Sequence, residues 1–135
     1  MTESQSKKIL VVDDEPSIVK YLEALLGDNG YETVSAANGN EAMDQVKAEH
    51  PDLICLDVTM PEKSGIRFYR ELKEDAELAS TPVIVVTAVT YYGKDPEPFR
   101  EFLNTRSQVP PPEGFIPKPI DRETFLAAVK EVLSA

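Results

Sequence analysis

A single cysteine, Cys55, stands in the whole chain, so no internal disulfide can form. Its place in the apolar run Leu53-Ile54-Cys55-Leu56 marks a buried, inert thiol and fits a reducing compartment. Long apolar runs are missing too: none approaches the about 18 residues of a membrane span. The amino end, Met1 to Lys7, is polar, and no apolar stretch as long as the about 7–15 residues of a signal peptide follows its charges, so it does not read as one. A soluble, cytoplasmic protein is expected. Cations are scarce, with 14 Lys and Arg against 24 Asp and Glu, and the formal net charge of −10 repels phosphate backbones and anionic membranes alike. Neither direct nucleic-acid binding nor a membrane partner is expected. The one histidine, His50, falls in the turn His50-Pro51-Asp52 and is read as a solvated loop residue without chemistry.

What is present is an ordinary globular composition, 41% hydrophobic and 28% charged over 135 residues, enough for one domain with its own core. Lys8 to Asp13 is a short apolar run ending in acid, which suits a parallel strand covered on both faces. Pro16 and Ser17 open a helix with Ile18, Val19, Leu22, Leu25 and Leu26 at helical spacing, and Gly27, Asn29 and Gly30 supply its stop. The alternation continues with strands at 31–36, 52–57 and 82–87 and helices at 40–49 and 64–74. Beyond it the pattern predicts a helix opening at Asp95-Pro96-Glu97-Pro98 and running to about Arg106. An extended loop through Pro110-Pro111-Pro112, a short strand at 115–117 and a helix at 121–133 complete the expected elements. Strict alternation implies right-handed crossovers and a doubly wound parallel sheet of five strands with helices on both faces, whose sites gather at the carboxyl ends of the strands.

Those strand ends carry chemistry. Asp13-Asp14-Glu15 follows the first strand, Asp57 ends the third, Thr87 ends the fourth and Lys118 follows the fifth. Carboxylates gathered at one edge repel and lose hydration, so they call for a compensating cation. Oxygen ligands with no His nearby, and with Cys55 read as an inert core thiol, point to a hard ion such as Mg²⁺ and away from zinc. A carboxylate beside such an ion can act as nucleophile on a phosphoryl group, with an ammonium and a hydroxyl stabilising the equatorial oxygens.

Asp13-Asp14, Asp57, Thr87-Ala88 and Lys118-Pro119 on a (βα)₅ framework closely resemble the response-regulator receiver domains of two-component signalling, over roughly Lys8 to Leu133. Met60-Pro61 and Gly65 fit the same pattern. The resemblance implies a flavodoxin-like fold and a signalling switch phosphorylated by a histidine kinase or a phosphotransfer protein, with output through a protein partner. It implies Asp57 as phospho-acceptor and Asp13 and Asp14 as the pair positioning Mg²⁺. It also implies Thr59 as a ligand through its backbone carbonyl, Lys118 as the phosphoryl clamp, and Thr87 and Phe115 as the switch pair. Beyond phosphorylating and dephosphorylating itself, such a domain is not expected to be an enzyme.

Each feature alone has a plainer reading: an acidic pair is usually a solvated turn, a strand-ending Thr is ordinary β-propensity, Lys-Pro is a loop step and Phe115 is core. Only the constellation raises them. A Mg²⁺-dependent phosphohydrolase with an aspartyl nucleophile is the rival, but it would need an acid shortly after the nucleophile, where Thr59 stands. The chain departs from the family in one place. Thirty-one positions separate Thr87 from Lys118, and Val109-Pro110-Pro111-Pro112-Glu113-Gly114 replaces the usual small-residue turn before the last strand. The expected layout is therefore a disordered tail at 1–7 and a receiver domain at 8–135 with an enlarged segment at 88–114. Tyr91 to Gly114, with its paired tyrosines and prolines, is the expected readout surface. The end at Ala135 leaves two alternatives, a single-domain regulator or a piece of something larger.

Overall fold

The computed structural model describes residues 7–57, 64–88, 113–118 and 120–134. Five parallel strands form one sheet in the order β2-β1-β3-β4-β5: β1 Lys8–Val12, β2 Glu32–Ala36, β3 Leu53–Asp57, β4 Val83–Ala88 and β5 Gly114–Lys118. Among the described residues four helices accompany them: α1 Pro16–Asp28, α2 Gly39–Glu49, α3 Ser64–Glu74 and α4 Arg122–Ser134. The anticipated helix near 95–106, and most of the proline-rich loop, lie outside the described residues.

The side-chain period of two sorts each strand between two cores. Leu10, Val12, Ile54, Leu56, Val83 and Val85 pack with Ala42 and Val46 of α2 and with Phe68, Tyr69 and Leu72 of α3. Ile9, Val11, Leu53, Cys55, Ile84 and Val86 pack with Leu22, Leu25 and Leu26 of α1 and Phe125 and Val129 of α4. Every residue of β3 is buried, which explains why its sequence shows no polar alternation before Asp57.

Local chemistry sets the boundaries. Pro16 takes the first turn of α1, where its missing N–H costs nothing. Gly27 does not end that helix; the stop comes at Asn29, whose Nδ2 donates to the carbonyl of Leu25 at 2.8 Å, and at Gly30, whose φ of 89° only glycine adopts freely. Asn38 caps α2 by accepting the Glu41 N–H at 2.9 Å, while Glu41 Oε1 accepts the Ala37 N–H at 2.8 Å. At the far edge Glu113 grips Val83 twice. Its N–H donates to the Val83 carbonyl and its carboxylate accepts the Val83 N–H, both at 2.8 Å. Among the described residues, no helix is long and apolar enough to cross a membrane.

Candidate functional site

The direction in which successive strands are added across the sheet reverses between β1 and β3. From β1 the chain moves outward to β2 on one side, then returns to β3 on the other, so the connections leaving β1 and β3 diverge. Asp13 follows β1 and extends its pairing, with its N–H donated to the Ala36 carbonyl at 3.1 Å. Asp57 ends β3, paired with Val86 of β4. The adjacent strands thus deliver both acids to one crevice.

Their environments are alike. Asp13 and Asp57 are each only 2% exposed, and they are the buried charged residues among those described. Asp13 Oδ1 accepts the Glu15 N–H at 2.9 Å, which turns the chain toward α1 and fixes one carboxylate oxygen. Asp14 is exposed at the rim. Asp13, Asp14 and Asp57 each offer a carboxylate oxygen, and these oxygens lie within 4.8 Å of one another. Like charges so close, two of them out of water, are unfavourable unless a cation or a proton intervenes. The donor set is entirely oxygen, which suits a hard divalent ion bound through a few carboxylates and water.

Strand register places the other anticipated residues at the same edge. Thr87 follows Val86, the partner of Asp57, and pairs with Pro117, while Ala88 pairs with Lys118. The backbones of Thr87 and Lys118 therefore stand at the carboxyl ends of β4 and β5. Phe115 is three residues earlier on β5, paired with Val85. Thr59, Met60-Pro61 and Tyr91-Tyr92 lie outside the described residues. Buried Cys55 is next to the site in sequence but not in chemistry, because burial pushes its thiol up to about 12. Glu15, whose N–H orients Asp13, was legible only as a member of an acidic run.

An acidic crevice at the switch point of a 2-1-3-4-5 sheet defines a class: α/β modules that carry carboxylate chemistry at the strand ends. The particular family follows from comparison. Residues 9–130 match the response regulator receiver domain. The chain is 36% identical to the polar-differentiation response regulator DivK of Brucella ovis, covering 95% of this chain and 97% of that one. It superposes on the chemotaxis protein CheY4 of Vibrio cholerae with a TM-score of 0.79 at 31% identity, over 95% and 99% of the two chains. It also resembles the receiver domain of a signal transduction histidine kinase from Syntrophus aciditrophicus, with a TM-score of 0.78, 33% identity and coverage of 96% and 91%. The chain belongs to the response regulator receiver domain family, and its function is that of a phosphorylation-dependent signalling switch.

Proposed function

We propose that Asp57 is the phospho-acceptor, that Asp13, Asp14 and Asp57, with the backbone carbonyl of Thr59, hold Mg²⁺, and that the donor is a histidine kinase or a phosphotransfer protein. The observation that carries this reading is the pair of nearly inaccessible carboxylates, Asp13 and Asp57, brought together with Asp14 at the ends of two adjacent strands. Gathering three acids brings no gain in stability by itself, whereas a divalent cation bound among them would offset their repulsion and that of a phosphoryl group on Asp57.

In the transfer, a lone pair on an Asp57 carboxylate oxygen forms the new P–O bond. The P–N bond to the donor imidazole breaks, and its electrons stay on the departing nitrogen. Mg²⁺, when bound, neutralises charge on the phosphoryl oxygens. Asp57 supplies the nucleophile from a fixed strand end, so little orientation is lost on the way to reaction. Asp13, held in orientation by the Glu15 N–H on its Oδ1, would contribute carboxylate charge to the cation. Lys118 supplies the positive charge that clamps the product, and Thr87 its hydroxyl. Phe115 follows Thr87 in the switch. Hydrolysis of the acyl phosphate by water then resets Asp57.

Intact mass after incubation with a small acyl phosphate and Mg²⁺ tests the reading. A single phosphoryl adduct is expected in the wild type, none without Mg²⁺ and none in Asp57→Asn. An adduct that survives the substitution would refute the assignment of Asp57.

A further inference from the structure

Lys118 ends an edge strand, which has a neighbour on one side only. β5 is five residues long, Gly-Phe-Ile-Pro-Lys, and pairs with β4. Gly114 has no side chain to pack, and Pro117 has no N–H to give the ladder. Among the described side chains of β5, Ile116 alone is anchored in the core, at 3% exposure beside the α1 and α4 residues. A one-residue slip of such a strand moves its backbone by about 3.3 Å and turns each side chain to the opposite face.

Glu113 stands immediately before this strand and makes two bonds to one residue of β4. Its N–H meets the Val83 carbonyl, and its carboxylate Oε1 takes the Val83 N–H where a regular parallel ladder would offer a main-chain carbonyl. The neighbours in sequence are Pro112 and Gly114, neither of which has a side-chain acceptor. A register slip in either direction therefore leaves the Val83 N–H without this carboxylate. Val83 itself is fully buried, and the preceding carbonyl, that of Pro82, accepts the Ile54 N–H of β3. The grip is thus on a part of the sheet that cannot readily shift to follow β5.

We infer that Glu113 is a positioning residue: its carboxylate fixes the register of β5 on β4 and so delivers Lys118 opposite Ala88, at the edge where Asp57 reacts. The inference rests on the role proposed for Lys118. Glu113 touches neither donor nor phosphoryl group and acts through the strand alone. Its neutral isostere, which keeps a carbonyl oxygen for the Val83 N–H, should preserve the effect.

The test compares wild type, Glu113→Ala, Glu113→Gln, Lys118→Ala and the double variant Glu113→Ala/Lys118→Ala, with a small acyl phosphate as donor. Misplacement of a clamp by an ångström or more predicts that Glu113→Ala slows phosphorylation about tenfold, while Glu113→Gln stays within about threefold of wild type. Mg²⁺ affinity should change less than about twofold, because the acid cluster sits on β1 and β3, away from the substitution. Amide exchange at Val83 should quicken in Glu113→Ala, and Glu113→Ala should add nothing to Lys118→Ala. A wild-type rate in Glu113→Ala beside a slow Lys118→Ala would overturn this inference alone. A slow Glu113→Gln, or additive losses in the double variant, would do the same. Lys118→Ala at wild-type rate would remove the role of Lys118, and the inference with it.

Discussion

Cys55 lies between Val11 and Ile84 in the centre of the sheet, and burial alone lifts its thiol from an ordinary 9.0 to about 12. Between those values the unfolded chain has lost a proton that the native chain retains. Native stability therefore falls as pH rises through that window, by up to roughly 1.4 kcal/mol per pH unit from this one group. Cys55→Ala should be about 1 kcal/mol less stable near neutrality, from lost packing, yet show a shallower decline between pH 9 and 11. Urea unfolding at several pH values reads the difference, and groups common to both proteins, such as buried Tyr69, cancel from it. Parallel declines would mean that the fold tolerates a thiolate. His50 offers the opposite case, an exposed side chain on a strained backbone. It ends α2 in the left-handed region at φ 49° and ψ 60°, with its N–H on the Val46 carbonyl. Glycine at that position removes a Cβ penalty of about 1–2 kcal/mol and adds back roughly 0.5–1 of chain entropy. His50→Gly should thus gain on the order of 0.5 kcal/mol. A lower urea midpoint than wild type would contradict this.

At the level of elements, α3 and β4 are joined by a side chain as well as by the main chain. Lys73 Nζ donates to the carbonyls of Ala79 and Thr81 at 3.1 and 2.9 Å and sits 5.6 Å from the centre of the Tyr69 ring. Partial burial lowers its pKa, and the nearby charge of Glu113 works against that lowering. Lys73→Met loses both hydrogen bonds, and because the group is half exposed the cost should be near the lower end of their range, about 1 kcal/mol. A lowered lysine leaves the unfolded chain holding more protons just below 10.5, so wild-type stability gains there and the deficit of Lys73→Met should widen as pH approaches that value. Denaturation midpoints at pH 7 and pH 10 test both statements; a deficit that narrows with pH would invert the assigned cause. Such ties were not legible beforehand. Glu113 and Val83 are thirty positions apart and Lys73 meets main-chain oxygens, so no residue type at the far end marks the partner. Among the described residues the strands and helices were legible, because apolar runs ending in acid and helical spacing report burial directly. Gly27 misled at the end of α1 because nothing lies within 4 Å of where its Cβ would be, and an exposed helical glycine merely costs stability. Asp13, Asp14 and Asp57 could be singled out because each ends or follows an apolar strand, a place that sequence order reveals.

The whole molecule carries −10 in formal charge, and part of that excess is gathered at one crevice. Two effects of added Mg²⁺ must then be separated. Any salt screens the general self-repulsion of an acidic chain and raises stability in every variant. Binding at the cluster acts by mass action on the native state alone, because the unfolded chain does not hold the three acids together. At a free concentration ten times the dissociation constant it contributes about 1.4 kcal/mol, which in a domain of this size is a rise of roughly 4–6 °C in Tm. Asp14 is the informative position, since it is exposed and its replacement removes one of the three carboxylates without opening the core. Asp14→Asn should lose most of the Mg²⁺ response and, with one repulsive charge fewer, should melt no lower than wild type when Mg²⁺ is absent. Melting curves in Mg²⁺ and in sodium chloride of matched ionic strength make the separation. If the wild type gains no more from Mg²⁺ than from sodium, or if Asp14→Asn responds as fully as the wild type, the acids at the ends of β1 and β3 are not the cation site.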